Sequence, residues 1–244
     1  MTLAHPTADD PRARLIAPVM LVRAPSLLAD RLRELILAGT FPSGEMLPSE
    51  RDLVTESGLS RGSVREALKI LETEGLVEIR PGRSGGALVT APSQDSLVRT
   101  VQVFIRANSI DLKTLLDCRI AVEPMMARRA AENRTPQQME EIWRLHHAVE
   151  DTIEDVVAYR PANFAFHMAV VKAAGNEPLG ALMQAISGPV LVERGFARMT
   201  TPEIRAVAVQ EHEGICRAIE ARDGETAARL MLDHLSLYAR MLKR

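Results

Sequence analysis

The stretch from residue 47 to residue 75 constrains the fold more than any other part of the chain, because it has the pattern of two short helices joined by a tight turn. Ser49 and Ser60 occupy N-cap positions before the two predicted helices, and Gly58 between them supplies the turn. The second helix has an apolar stripe at helical spacing, which consists of Val64, Ala67, Leu68 and Leu71. The pattern predicts a helix-turn-helix.

Basic residues repeat every four positions along the second predicted helix. Arg61, Arg65 and Lys69 therefore form one stripe on the side opposite to the apolar residues. A helix of this kind can lie in the major groove of DNA. The same spacing also fits an ordinary helix hairpin with a solvated, charged face.

The segment after this helix favours DNA binding. Gly75 ends the helix, and residues 76–80 and 87–90 alternate like two strands around a glycine-rich tip at residues 81–86. A hairpin directly after a recognition helix is a wing, whose tip can approach the DNA backbone closely.

These residues resemble the winged-helix signature of the GntR superfamily of bacterial transcription regulators. The resemblance extends from the predicted first helix, residues 27–38, to the motif Glu-Gly-Leu-Val at residues 74–77. It implies that arginines of the two helices contact operator DNA and that three serines and one wing glycine belong to the same surface. The implied residues are Arg51, Arg61, Arg65, Ser49, Ser60, Ser63 and Gly82. The wing tip departs from the commoner pattern of the family, which has a single glycine pair before a threonine and an aromatic residue.

Charge and composition limit the class of protein further. The net charge of the 244-residue chain is −2, and residues 20–92 contain nine basic and ten acidic side chains, so a generic basic coat for nucleic acid is excluded. Aromatic residues make up only 3%, which indicates an aliphatic helical interior. No run of eighteen apolar residues predicts a membrane span. Cys118 and Cys216 lack metal-type spacing, and we interpret them as buried thiols of a cytoplasmic protein.

Helical periodicity dominates from residue 93 onward. The predicted fold is therefore mostly α, with a loose tail at residues 1–20, a winged helix-turn-helix at residues 21–92 and an all-α antiparallel helical bundle at residues 93–244. The bundle helices are predicted at residues 97–107, 111–133, 136–152, 161–174, 179–199, 202–222 and 224–243.

Three histidines of the bundle have positions that favour a common site. His167 follows Asn163 by four residues, so both project from one helix face. His212 and His234 each lie about eleven residues from a predicted helix turn at residues 223–224, which places them at the same height. Three imidazoles and an amide oxygen could hold a divalent metal. For each histidine taken singly, a buried, hydrogen-bonded core residue is the favoured interpretation, and the matched heights of two of them are what favour a common site.

The second half of the chain resembles the FCD domain, the ligand-binding domain of the FadR-like branch of this superfamily. The matching segments begin with Arg119-Ile-Ala-Val-Glu123 and end with His234-Leu235. The resemblance implies a metal held by an aspartate and three histidines, and a small carboxylate as the effector. His167, His212 and His234 match this pattern, whereas Asn163 stands where the family has aspartate, and an amide oxygen is the weaker ligand.

Arg119 is the candidate clamp for the acid group of the effector, since a buried guanidinium binds a carboxylate through two parallel hydrogen bonds. Its spacing to Glu123 also predicts an ion pair within one helix, and the two roles are compatible. His146 and His147 lie on a predicted surface helix and receive no role.

The combined expectation is a homodimeric repressor, not an enzyme, that binds palindromic operator DNA under the control of a small organic or sugar acid. A divalent metal, zinc or nickel, would be bound with the acid in the helical bundle. Two alternatives remain open. One is a metal-dependent hydrolase or isomerase with a DNA-binding appendage, in which Glu211 or Glu213 acts as a base. The other is a purely structural dimerisation domain whose histidines are core residues.

Overall fold

The fold was analysed in a computed structural model that describes residues 24–82, 85–192 and 200–241. The chain divides into two compact units, residues 1–93 and residues 94–244. The described residues form ten helices and one two-stranded antiparallel sheet, so the predicted fold class is confirmed. The predicted tail at residues 1–20 lies outside the described residues.

The first unit is a winged helix-turn-helix. Its second and third helices begin with serine caps. The Ser49 side chain accepts a hydrogen bond from the backbone N–H of Asp52, and the Ser60 side chain accepts one from that of Ser63. Gly58 separates the second and third helices in the left-handed conformation, with a φ of 68°. The elements are α1 (Ala24–Leu37), α2 (Glu50–Ser57), α3 (Arg61–Thr73), β1 (Val77–Arg80) and β2 (Gly86–Val89).

The apolar stripe of α3 forms the centre of this unit. All four stripe residues are buried, and they pack with residues of α1, α2 and both strands in one cluster. The strands pair antiparallel from Val77 opposite Val89 to Arg80 opposite Gly86, and Val77 and Val89 both point into the cluster. The wing is therefore attached to the core by apolar residues at the base of the hairpin.

The second unit consists of helices. In chain order they are α4 (Gln94–Ala107), α5 (Leu112–Asn133), α6 (Pro136–Asp151), α7 (Val156–Ala173), α8 (Glu177–Val192), α9 (Pro202–Glu220) and α10 (Gly224–Met241). The start of α6 is a capping box, in which Thr135 and Gln138 each bind the backbone N–H of the other. No helix among the described residues has the length and apolar character needed to cross a membrane.

Three details of the helical unit differ from the prediction. Helix α7 begins at Val156 instead of Pro161, because Asp155 caps it by accepting from the N–H groups of Val157 and Ala158, and the proline lies inside the helix. His146 is buried on α6 instead of exposed, since its ring packs near that of Phe166. Cys118 is half-buried, whereas Cys216 is buried as predicted.

Removal of the Leu71 side chain tests the core of the winged unit. Leu71 is 0% exposed, so Leu71→Ala is expected to lower the free energy of unfolding by about 2–5 kcal/mol through lost burial and the resulting cavity. Leu37→Ala is the matched control, because Leu37 is 71% exposed, and its cost is expected within about 0.5 kcal/mol of zero. Urea denaturation followed by circular dichroism measures both; equal losses would contradict the packing.

Candidate functional site

The predicted DNA-contacting arginines lie on the surface of the winged unit. Arg61 and Arg65 project from the exposed side of α3, and the Arg51 side chain on α2 is 84% exposed. The Arg65 Nε donates a hydrogen bond to the Glu50 carboxylate at 2.8 Å, across the two helices of the motif. The basic stripe of α3 is thus exposed, and one of its arginines, Arg65, forms an ion pair with Glu50.

The predicted polar contacts have local structural roles as well. Ser49 and Ser60 are the N-caps of α2 and α3, and the hydroxyl oxygens of Ser60 and Ser63 lie 3.0 Å apart. Gly82 is exposed at the wing with a φ of 114°, a conformation that favours glycine. The neighbouring tip residues 83–84 lie outside the described part of the chain.

Three imidazoles converge in the interior of the helical unit. His167 on α7, His212 on α9 and His234 on α10 are all buried, with one ring nitrogen of each within 4.8 Å of the others. The Nε2 of His234 is 3.2 Å from the Nε2 of His212 and 3.3 Å from that of His167. The structure thereby brings together the three histidines that the sequence analysis grouped, of which His212 and His234 were matched by their height in the bundle.

Two carboxylates form hydrogen bonds with Nδ1 atoms of this cluster. The Nδ1 of His167 is 2.7 Å from Glu123 Oε2, and the Nδ1 of His234 is 2.8 Å from Glu211 Oε2. An ionised carboxylate can only accept, so each Nδ1 carries the hydrogen and each facing Nε2 carries a lone pair. The carboxylate partners fix both the tautomer and the orientation of the two rings.

Burial keeps the imidazoles of His167 and His212 neutral, whereas Arg119 and His167 keep the carboxylate of Glu123 ionised. Desolvation lowers the pKa of His167 to about 4, although Glu123 opposes the shift, and it lowers the pKa of His212 well below the usual value, reinforced by His234. Burial alone would raise the pKa of Glu123, but Arg119 and His167 outweigh it and hold that pKa well below its ordinary value. Neutral imidazoles are the form that binds metals.

Asn163 lies one helical turn before His167 and is buried. Its side-chain Oδ1 has no hydrogen-bond partner among the described residues. A buried acceptor left without a donor is rare in proteins and costs free energy, so the atom is suited to a group that completes its coordination. The nitrogens of His167, His212 and His234 are close enough together to hold a divalent metal.

Arg119, which is predicted to bind the acid group of the effector, is buried and forms an ion pair with Glu123. Its Nε and Nη2 donate to the two oxygens of Glu123, at 2.5 and 3.3 Å, which is the ion pair that their i, i+4 spacing predicts. Glu123 therefore connects Arg119 to His167. Sequence reasoning missed that second contact, because α5 and α7 meet only in the folded chain and 44 residues separate the pair.

The two carboxylates considered as catalytic bases are both engaged. Glu211 accepts from the His234 ring, as described, and Glu213 is bound to Arg217 at 2.7 Å on the surface. The contact of Glu211 orients the His234 ring, and that of Glu213 is an ion pair with a basic residue of the same helix.

Comparison with known proteins agrees with this architecture. Residues 26–86 match the family model for bacterial regulatory proteins of the gntR family, and residues 114–237 match the model of the FCD domain. The solved structure of Streptococcus agalactiae GntR has a TM-score of 0.65 and 24% sequence identity, over 89% of this chain and 99% of that one, which shows a shared fold.

Curated relatives cover nearly the whole chain. The HTH-type transcriptional regulator LutR of Bacillus subtilis (strain 168) is 31% identical over 206 residues, which span 83% of this chain and 93% of LutR. The HTH-type transcriptional repressor NanR of Citrobacter rodentium (strain ICC168) is 28% identical over 227 residues, 90% of this chain and 85% of NanR. With a winged helix-turn-helix in residues 1–93 and three buried, clustered histidines in the helical unit, this chain belongs to the GntR family of transcriptional regulators and carries an FCD domain.

Proposed function

We propose that this protein is a homodimeric repressor whose binding to a palindromic operator is controlled by a small organic or sugar acid. The acid would be bound, together with a divalent metal, in the helical unit. The observation that carries the proposal is the convergence of three buried imidazoles on one point. The relative NanR is named a repressor, which supports the same direction of control here.

The electrostatics of the cluster favour a bound cation. His167 and His234 each donate through Nδ1 to a carboxylate, so their Nε2 lone pairs face each other at 3.3 Å. Two facing lone pairs repel in a dry interior unless a positive charge lies between them. A divalent metal supplies that charge and an open position for an acid oxygen; three imidazoles suit zinc or nickel.

The proposed metal ligands are supported by neighbouring charged residues. His167, His212, His234 and the Asn163 oxygen are the proposed ligands, and Glu123 and Glu211 hold two of the rings in place. Arg119 stabilises the negative charge of Glu123 in the interior. The acid-binding role predicted for Arg119 therefore has to coexist with an ion pair that already occupies two of its N–H groups.

On the DNA side, we assign the operator contacts to Arg51, Arg61 and Arg65, with Ser49, Ser60, Ser63 and Gly82 beside them. The exposed position of the arginines supports this assignment. A homodimer would present two α3 helices to the two halves of a palindrome. The acid must favour one arrangement of the dimer by a few kcal/mol, on the order needed to shift a two-state equilibrium.

Loss of one metal ligand tests the metal site. His212→Ala and His234→Ala are expected to weaken zinc binding more than about 100-fold, beyond the effect of losing an outer partner of a ligand. Metal competition with a chromogenic chelator measures the affinity, and the chelator should also lower the melting temperature of the wild-type protein only. His147→Ala, which removes an exposed histidine, is the control. Unchanged zinc affinity in both variants would rule out the site.

The recognition helix is tested by Arg65→Ala. Operator affinity should fall by about 1–3 kcal/mol, the usual value of an arginine contact to DNA, in a fluorescence anisotropy titration at fixed salt. Arg31→Ala is the matched control, since Arg31 is an exposed, ion-paired arginine of α1 outside the proposed surface. An affinity within about threefold of wild type for Arg65→Ala would contradict the docking.

The buried Arg119–Glu123 pair is tested by its effect on stability. Glu123→Gln leaves the Arg119 charge buried without a carboxylate, which is expected to lower the free energy of unfolding by about 3–5 kcal/mol. Glu141→Gln breaks a pair on the surface of α6 and should cost no more than about 1 kcal/mol. Both are measured by urea denaturation; similar costs would mean that the interior pair is solvated.

A further inference from the structure

Gly62, in the first turn of α3, is a glycine that the fold of the winged unit does not require. It lies within a helix and is not among the described glycines with a positive φ, so its backbone conformation suits other residues equally well. A Cβ atom at this position would have one contact within 4 Å beyond its own stretch of chain, the Ser60 hydroxyl oxygen at 3.7 Å. A helical glycine costs free energy relative to alanine, because its backbone loses more entropy on folding.

Several other described glycines have a structural reason that Gly62 lacks. Gly58 adopts a positive φ, and a Cβ atom at Gly188 or Gly224 would lie 3.0 or 2.9 Å, respectively, from a neighbouring side chain. Gly180 on α8 resembles Gly62 in both respects, since its Cβ would lie 3.8 Å from the nearest side chain, but it is half-buried in the helical unit. Gly62 is exposed on the recognition helix, where a partner that approaches the backbone closely would explain a glycine.

The position of Gly62 is in the middle of the exposed face of α3. It precedes Arg65 by three residues and Lys69 by seven, so helical spacing extends the basic stripe to this position. The buried apolar residues of α3 lie on the opposite side of the helix. Recognition helices contact base edges with their N-terminal residues, so the first turn of α3 would face the floor of the major groove at Gly62.

The missing side chain determines how closely the backbone of α3 can approach the bases. Ser60 and Ser63, which are proposed DNA contacts, have short side chains at the same end of the helix. Their hydroxyl groups reach DNA within hydrogen-bond distance only when the helix lies deep in the groove. A methyl group at position 62 would meet the base edges first and hold the hydroxyl groups away. The long side chains that contact phosphates can adjust to such a displacement, and phosphate contacts carry no sequence information.

We propose that Gly62 sets the depth at which α3 enters the major groove and thereby determines operator specificity. The part of the DNA that it contacts is the edge of the base pairs, and not the phosphate backbone. This inference rests on the proposed function, in which α3 binds an operator half-site, and it adds to that function a residue that acts through the absence of a side chain.

The test compares Gly62→Ala with the wild-type chain on two DNA probes. The first probe is a duplex of about 20 base pairs that the wild-type protein selects from a randomised pool, and the second has the same bases in scrambled order. In fluorescence anisotropy at fixed salt, Gly62→Ala should bind the selected duplex at least about tenfold more weakly than the wild type does. Its affinity for the scrambled duplex should stay within about threefold of the wild type, because phosphate contacts remain. Gly180→Ala, the matched glycine substitution in α8, should change neither affinity.

Stability without DNA separates a binding role from a structural one. Gly62→Ala places a methyl group in open space and reduces the entropy of the unfolded chain, so its urea midpoint of unfolding should equal or exceed that of the wild type. Gly180→Ala should behave in the same way. A lower midpoint for Gly62→Ala would mean that the glycine serves the fold, and it would overturn the inference.

The size of the side chain at position 62 provides a second criterion. Gly62→Leu keeps a residue that favours helices but is larger than alanine, so it should bind the selected duplex more weakly than Gly62→Ala does. Affinity of either variant within about threefold of the wild type would overturn the inference, while the proposed arginine contacts would stand. Equal weakening on both probes would assign Gly62 to phosphate binding and would also overturn it. Failure of the wild-type protein to select any duplex would refute the proposed operator binding itself.

Discussion

The interior of the helical unit depends on one buried carboxylate, that of Glu123. It accepts hydrogen bonds from Arg119 on its own helix and from His167 on the neighbouring helix. A buried charge is tolerated only when it is paired and hydrogen-bonded, so the ionised carboxylate of Glu123 depends on both Arg119 and His167. By fixing the tautomer of His167, the carboxylate also determines that a lone pair, and not a hydrogen, faces the other imidazoles.

Features determined by local sequence could be predicted. Serine and threonine N-caps, the left-handed glycine of the turn and the apolar stripe of α3 depend on residues close in the chain, and all are found in the structure. The common height of His212 and His234 followed from counting residues on either side of the turn at 223–224, because an α-helix rises by a constant amount per residue.

Contacts between distant residues could not be predicted in the same way. The bond from His167 to Glu123 depends on how α5 and α7 pack, and neither residue has a local pattern that indicates it. The predicted start of α7 was wrong, because a proline is favoured in the first turn of a helix, whereas Asp155 caps this helix six residues before Pro161.

The ion pair between Arg65 and Glu50 has a consequence for the ionic-strength dependence of DNA binding. An arginine that transfers from Glu50 to an operator phosphate displaces a condensed cation from the DNA but leaves behind an exposed carboxylate. That carboxylate attracts a cation in turn, so the net number of ions released is smaller than the number of phosphates contacted. If Arg65 contacts the operator as proposed, its pair with Glu50 would lower the sensitivity of operator binding to salt, and the shape of the DNA and the base contacts would contribute a larger share of the specificity.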